Sequence, residues 1–261
     1  MKIQSPSFNA FNRTEQVGNK LNQQLATGKK VNSAADDAAA FQIINRLNSQ
    51  QEGYNQSVRN AYDGISYSQT ADSALSGVND AVSRIRELSI QSGNGALTDS
   101  DRQALQDEVS QLQTQITETF ENTTFGGKAL FNGAQTSFQV GPDANSTQNI
   151  TPTDGSFASA ITSVDISTQA GAQAAIDAAD TVSKDLNTQR TELGAFENTL
   201  NSTIRGLGTQ QENIAASQSR IQDTDYAQAI SEQTANDILS QASIALRGQA
   251  NQSASSVLGL L

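Results

Sequence analysis

The 261-residue chain has no cysteine, no histidine and no tryptophan, and a single methionine. Without cysteine there is no disulfide, no thiolate metal site, no iron–sulfur cluster and no thiol nucleophile. Without histidine, Ser-His-Asp hydrolysis, the HExxH metalloproteases and His-ligated zinc are excluded as well. Aromatics make up 5% of the chain and charged residues 16%, against about 25% charged in an ordinary domain. What is abundant instead is neutral and polar: roughly 40% of the residues are Ser, Thr, Asn or Gln. Sixteen basic against 27 acidic residues leave a net charge of −11, which argues against nucleic acid or an anionic membrane as partner. The opening MKIQSPSFNAFNRTEQ carries no apolar core of a cleaved secretory signal, and no run approaches the ~18 apolar residues of a membrane span. These absences remove most of the usual catalytic apparatus, and the expectation is an acidic, non-redox protein that is no enzyme and uses no metal or cofactor.

Proline is nearly absent too. Pro6, Pro142 and Pro152 are the only ones, so long helices are permitted on both sides of one central break. Phe125-Gly126-Gly127, Phe131-Asn132-Gly133, Gly141-Pro142 and Asp154-Gly155 crowd that break. Thr136–Val140 and Ala160–Ile166 alternate with the two-residue period of strands, which marks 125–166 as a small β region between two helical arms.

The N-terminal arm carries a stripe of Tyr54, Val58, Ala61, Ile65, Ser68, Ala71, Leu75, Val78, Val82, Ile85 and Ser89. Its mean spacing of about 3.5 residues is the seam period of a coiled coil. A helix over 45–93 would be about 73 Å long at 1.5 Å per residue, longer than a compact domain accommodates, so a rod is expected. Ser92-Gly93-Asn94-Gly95 ends it, and Ser100 with Gln103 reads as the capping box of a second helix bearing Leu105, Val109, Leu112, Ile116 and Phe120. A third stripe runs from Ile176 to Ile221 and includes Leu193, Leu200 and Leu207. Three such helices can pack lengthwise and bury one another's stripes.

Both ends are amphipathic as well. Phe8, Phe11, Leu21 and Leu25 recur at near-helical spacing, as do Ile230, Ile238 and Leu246 before the apolar close Val257-Leu258-Gly259-Leu260-Leu261. Residues 1–44 have a net charge of +2 and residues 222–261 of −3, so the two ends suit each other. They either complete a monomeric bundle as a hairpin or become ordered when copies of the chain stack and bury them. Asp36-Asp37 is an adjacent acidic pair with no histidine or third acid beside it, and reads as a helix cap rather than a site.

Several blocks resemble bacterial flagellin: Gln23–Ile44 (QQLATGKKVNSAADDAAAFQII), Arg59–Gln69 (RNAYDGISYSQ), Ser83–Gln91 (SRIRELSIQ), Gln189–Gly194 (QRTELG) and Ser219–Tyr226 (SRIQDTDY). They occur in the family's order at both ends of the chain. The resemblance implies a mainly α fold, an elongated coiled-coil-like bundle with paired terminal helices and a small β-hairpin region. It implies an inner domain of residues 1–44 with 222–261, a helical rod of 45–124 with 167–221, and a β region of 125–166 in place of the larger outer domains. The implied function is a structural subunit that self-assembles into the helical flagellar filament outside the cell, exported through a type III channel. Phe8, Phe11, Leu21, Leu25, Ile238, Leu246, Leu258 and Leu261 would then serve polymerisation. Val58, Ile65, Leu75, Val82, Ile85, Leu193 and Leu200 would form the rod seam. The implied partners are other copies of the chain, the hook-associated junction and cap proteins, an export chaperone at the C-terminal helix, and innate immune receptors reading Arg84, Leu88, Gln91 and Glu108. The hook–filament junction protein, whose ends are similar, is the nearest alternative.

Overall fold

Two helices dominate the chain because nothing in their sequence stops them. α2 (Ala38–Ser92) and α5 (Gln169–Gln222) run for 55 and 54 residues without a proline, each about 80 Å at 1.5 Å per residue. In this computed structural model, which describes residues 6–152 and 154–258, they are joined by α1 (Pro6–Thr27), α3 (Asp99–Asn122), the short α4 (Ser159–Thr162) and α6 (Tyr226–Leu258). Four short strands, β1 (Thr124–Phe125), β2 (Lys128–Ala129), β3 (Thr136–Gln139) and β4 (Thr147–Ile150), make two antiparallel hairpins. Packing divides the chain into two compact units, Met1–Gln51 with Gln211–Leu261, and Glu52–Gln210. The divisions fall within α2, beside Gly53, and within α5, just after Gly208; the sequence expectation sets the boundaries at 44/45 and 221/222.

The Glu52–Gln210 unit holds the continuous apolar core. α2 supplies Ala61, Ala71, Leu75, Val78, Val82 and Ile85, α3 supplies Val109 and Ile116, and α5 supplies Ala179, Val182, Leu186, Leu193 and Leu200, all buried. The stripe is buried along almost its whole length; Val58 and Ile65 are partly covered. Truncating a fully buried leucine such as Leu75 to alanine costs about 2–5 kcal/mol in cores of this kind. Small residues bring the helices close. A Cβ on Gly64 would stand 2.8 Å from Leu200 Cδ1, and the buried Ser68 hydroxyl donates to the Leu193 carbonyl at 3.2 Å. The Arg190 guanidinium reaches both carboxylate oxygens of Asp72, at 2.7 and 3.2 Å.

Local structure departs from expectation in three places. The capping box of α3 is Thr98 with Asp101, not Ser100 with Gln103: the Thr98 hydroxyl accepts from the Asp101 amide, and Asp101 accepts from the Thr98 amide at 2.9 Å. Both patterns overlap in sequence, and the loop that enters α3 selects the earlier one. Ala160–Ile166 is not a strand. It holds the last three residues of α4 and a turn: Ile161 and Ile166 are buried, and Gln113 of α3 donates to the Ile161 and Val164 carbonyls at 3.1 and 2.8 Å, taking groups a strand partner would use. α2 begins at Ala38, seven residues before the expected 45. The tight β1–β2 turn uses Gly126 and Gly127, both at positive φ (57° and 81°), the conformation of a type I′ hairpin.

The hairpins are seated by aromatic rings. Tyr67 of α2 meets Phe125 and Phe138 edge-on at centroid distances of 5.6 and 5.5 Å, and Phe138 meets Phe196 of α5 at 5.9 Å. Hydroxyls along the helices are used inwardly. In α3, Ser110, Thr114, Thr117 and Thr119 each donate to the carbonyl four residues back, and Thr181, Thr188, Thr191, Thr199 and Thr203 do the same in α5.

Candidate assembly surface

The Met1–Gln51/Gln211–Leu261 unit is built around one left-handed residue. Gly28 has φ +69° and its amide donates to the Gln24 carbonyl at 2.8 Å, closing α1 in the manner of a glycine C-cap. The chain then runs beside the end of α5: Lys30 N donates to Gln222 O at 2.6 Å and Thr224 N to Gly28 O at 3.0 Å. Tyr226, the first residue of α6, lies over the same glycine and donates its hydroxyl to the Leu25 carbonyl at 3.1 Å. Asp225 caps α6, accepting from the Ala227 and Gln228 amides at 2.9 and 3.2 Å.

The acidic pair divides its work. Asp37 accepts from the Ala40 amide at 2.9 Å, at the start of α2. Asp36 turns back, accepts from the Asn32 amide and from both the amide and the hydroxyl of Ser33, and pairs with Lys20 of α1 at 3.2 Å. The Lys20 ammonium, aided by the Asn32 and Ser33 donors and opposed by burial, holds the Asp36 carboxyl below its ordinary value. Among the described residues no three acidic side chains gather as metal ligands, and no helix is long and apolar enough to cross a membrane.

α1 and α6 pack against each other, with described contacts from Leu25 and Tyr226 to Thr14 and Asn236. The contact is narrow and mixed: Leu21 and Ala229 are buried, and Asn236, also buried, donates Nδ2 to the Thr14 carbonyl at 3.2 Å. This is the hairpin form of pairing, yet it covers little of the apolar surface. Val17 on α1 and Ile230, Ile238, Leu239, Ile244 and Leu246 on α6 stay between 50% and 66% exposed. Steps of eight residues from Ile230 to Ile238 to Leu246 each turn about 80° around the axis, so α6 is apolar on several sides while α1 covers one. Large apolar residues exposed on several sides of one helix are unusual for a surface helix, whose apolar residues ordinarily form a single stripe facing the core.

The expected polymerisation residues therefore separate. Leu21 is in the α1–α6 contact, Leu25 is half-buried, and Ile238 and Leu246 face outward. The side chains of Phe8, Phe11 and Leu258, and the whole of Leu261, lie outside the described residues. In the other unit, Arg84 donates Nε to Glu108 at 2.8 Å and Nη1 to Glu87 at 3.0 Å, which raises its pKa. Gln91 is exposed nearby in sequence, whereas Leu88 is 1% exposed and its side chain belongs to the core. Leu88 is thus corrected from a surface residue to a core residue, since it falls on the inward stripe of α2.

Sequence reasoning did not find Arg102. Its side chain is nearly buried and donates Nε to Ser92 O at 3.1 Å, Nη2 to Asn94 O at 2.9 Å and Nη1 to Leu97 O at 2.7 Å, tying down the α2–α3 loop. It also missed the Arg86–Asp180 pair at 2.6 Å. Partners about ninety residues apart leave no local signal.

An assembly protein built of long amphipathic helices, with its least satisfied apolar surface on paired terminal helices, is the class that this fold and surface define. Comparison with known proteins makes it specific. Residues 4–136 match the model of the bacterial flagellin N-terminal helical region, and residues 176–261 that of the C-terminal helical region. A flagellin of Halalkalibacterium halodurans is 38% identical over 249 residues, covering 94% of this chain and 92% of that protein. The flagellar filament 33 kDa core protein of Treponema phagedenis is 36% identical, covering 92% and 90%. The crystal structure of Bacillus cereus flagellin superposes with a TM-score of 0.53 at 25% identity, covering 61% of this chain and 94% of that one. The chain belongs to the bacterial flagellin family.

Proposed function

We infer that the chain is a structural subunit, not an enzyme, that self-assembles outside the cell into the helical filament of the bacterial flagellum and so serves motility. The observation that carries this reading is the terminal pair, which leaves Ile230, Ile238, Leu239, Ile244 and Leu246 exposed on α6. Contacts between unlike faces of identical subunits do not close on themselves when the rotation is helical, and they generate tubes. The flagellins and the filament core protein similar to this chain over more than 90% of its length support the same role.

Finer partners follow from the same surfaces. An export chaperone would cover the apolar sides of α6 before assembly. The hook-associated junction and cap proteins would meet the terminal unit where further copies of the chain meet it. An innate immune receptor would read Arg84, Gln91 and Glu108, which are accessible in the monomer. The test of the central reading is electron microscopy of purified chain beside a truncation lacking 1–40 and 225–261. The full chain should form tubes and the truncation none; normal tubes from the truncation would refute the role of the terminal helices.

A further inference from the structure

The chain contains two Asn-Gly dipeptides, Asn94-Gly95 and Asn132-Gly133, and both stand exposed outside the helices. The two asparagines form the same local turn. Each side-chain oxygen accepts from the backbone amide two residues on, Ala96 at 3.1 Å and Ala134 at 2.9 Å. Their backbone carbonyls differ. The Asn94 carbonyl accepts from Arg102 Nη2 at 2.9 Å and from the Leu97 amide at 3.2 Å. Among the described residues no hydrogen bond reaches the Asn132 carbonyl. Arg102 is itself poorly neutralised: the side chain is buried against carbonyls, and its ion pair with the fully exposed Asp99 is long, at 3.9 Å. A shielded cation of this kind favours negative charge on the oxygens it touches.

We propose that Asn94 is a site of self-catalysed deamidation, in which Arg102 and the loop amides stabilise the charge that builds as the Gly95 nitrogen closes on the Asn94 side chain. The Gly95 amide gives its proton to hydroxide. The negative charge left on that peptide is shared with the Asn94 carbonyl oxygen, where the guanidinium and the Leu97 amide meet it. The nitrogen then bonds to Asn94 Cγ, and charge passes onto Oδ1 against the Ala96 amide. The Cγ–Nδ2 bond breaks, and the leaving nitrogen takes a proton from water and departs as ammonia. The product is a five-membered succinimide, which water opens at either carbonyl. Attack at Cγ gives aspartate; attack at the backbone carbonyl carbon gives isoaspartate, in which the chain continues through Cγ. Arg102 polarises that backbone carbonyl and already holds the oxygen that becomes the carboxylate, so isoaspartate is the favoured product. The balance is one water consumed and one ammonia released. The α2–α3 loop gains a negative charge and, in isoaspartate, one extra backbone atom.

The test is incubation of the purified full-length chain in mildly alkaline buffer, followed by acidic digestion and peptide mass spectrometry. Chromatography separates asparagine, aspartate and isoaspartate at both dipeptides, so Asn132 serves as the internal reference. Asn94 should convert about tenfold faster than Asn132 in the folded chain, which corresponds to about 1.4 kcal/mol of barrier, and with a higher proportion of isoaspartate. In guanidinium chloride the two rates should converge, because the Arg102 contact exists only in the fold. Arg102→Met should slow Asn94 toward the rate of Asn132 and leave Asn132 unchanged, and Arg102→Lys should recover part of the difference. Gly95→Ala is a second arm that leaves Arg102 in place: Gly95 is not at positive φ, and a Cβ there meets nothing within 4 Å. It should suppress conversion of Asn94 by crowding the attacking nitrogen. Circular dichroism shows that each variant is folded. Equal rates at the two sites in the folded chain, or unchanged or faster conversion of Asn94 in Arg102→Met, would overturn the proposal. Aspartate formed in Gly95→Ala as fast as in the parent would mean direct hydrolysis of the amide and would overturn it as well.

Discussion

Asn236 on α6 lies against Gly18 on α1: a Cβ placed on Gly18 would stand 2.8 Å from Asn236 Nδ2, the atom that donates to the Thr14 carbonyl. The one buried polar side chain that links the two helices by a described hydrogen bond thus depends on a residue with no side chain. Gly18→Val should force the helices apart and break that bond, although valine is the better residue for the helix itself. Loss of polymerisation with monomer helicity retained is the expected outcome, read by sedimentation and circular dichroism. Assembly at the parent's concentration would show that the α1–α6 approach is dispensable.

Arg102 offers a sharper stability test. Its guanidinium is the partner of three loop carbonyls, and hydrogen bonds to a charged group contribute about 1.5–3 kcal/mol each where partly shielded. Arg102→Met keeps the apolar stem and removes all three donors. A loss of about 2–4 kcal/mol in urea unfolding of the full chain is expected, less than the three bonds summed because the freed carbonyls at the loop regain water. Arg102→Lys should recover only part of it, because an ammonium cannot span three carbonyls in a plane.

Acid sensitivity should trace to Lys20 and Asp36. The folded chain holds the Asp36 carboxyl below its ordinary 3.8, chiefly through Lys20. A depressed folded value means that the carboxylate stabilises the loop above the unfolded pKa, about 3.9, and that this is lost as pH falls through the lower folded value. Lys20→Met should move the Asp36 titration upward, toward its ordinary range, and start acid unfolding of the loop at higher pH. Carboxyl chemical shifts through a pH titration report this directly, and an unmoved Asp36 would rule out Lys20 as the main cause.

Phe138→Ala tests how the β3–β4 hairpin is seated. The ring bridges Tyr67 and Phe196, so it connects the hairpin to both long helices. Removing a partly buried phenylalanine and two aromatic contacts should cost about 2–4 kcal/mol. Hydrogen exchange should rise first in β3 and β4, with α3 protection preserved.

The long helices were legible because their stripes repeat without interruption: the 54–89 seam, read from spacing alone, is the buried side of α2. What was illegible depends on partners distant in the chain. Ala160–Ile166 has the alternation of a strand, yet Gln113, about fifty residues earlier, satisfies its carbonyls in a turn. Arg86 and Arg190 look like surface charges until Asp180 and Asp72 are placed beside them. The apolar residues of α6 could be counted from sequence, but which of them α1 covers could not, since a helix apolar on several sides offers no single phase to read.

The hydroxyls of α3 and α5 change how these helix faces meet water. Ser110, Thr114, Thr117 and Thr119 already donate hydrogen bonds to their own backbone, so these faces, polar by composition, hold fewer donors that need water. Covering them with another protein surface strips away little hydration that must be replaced. A helix surface rich in threonine can in this way be polar in composition while leaving few hydroxyl donors that need a partner.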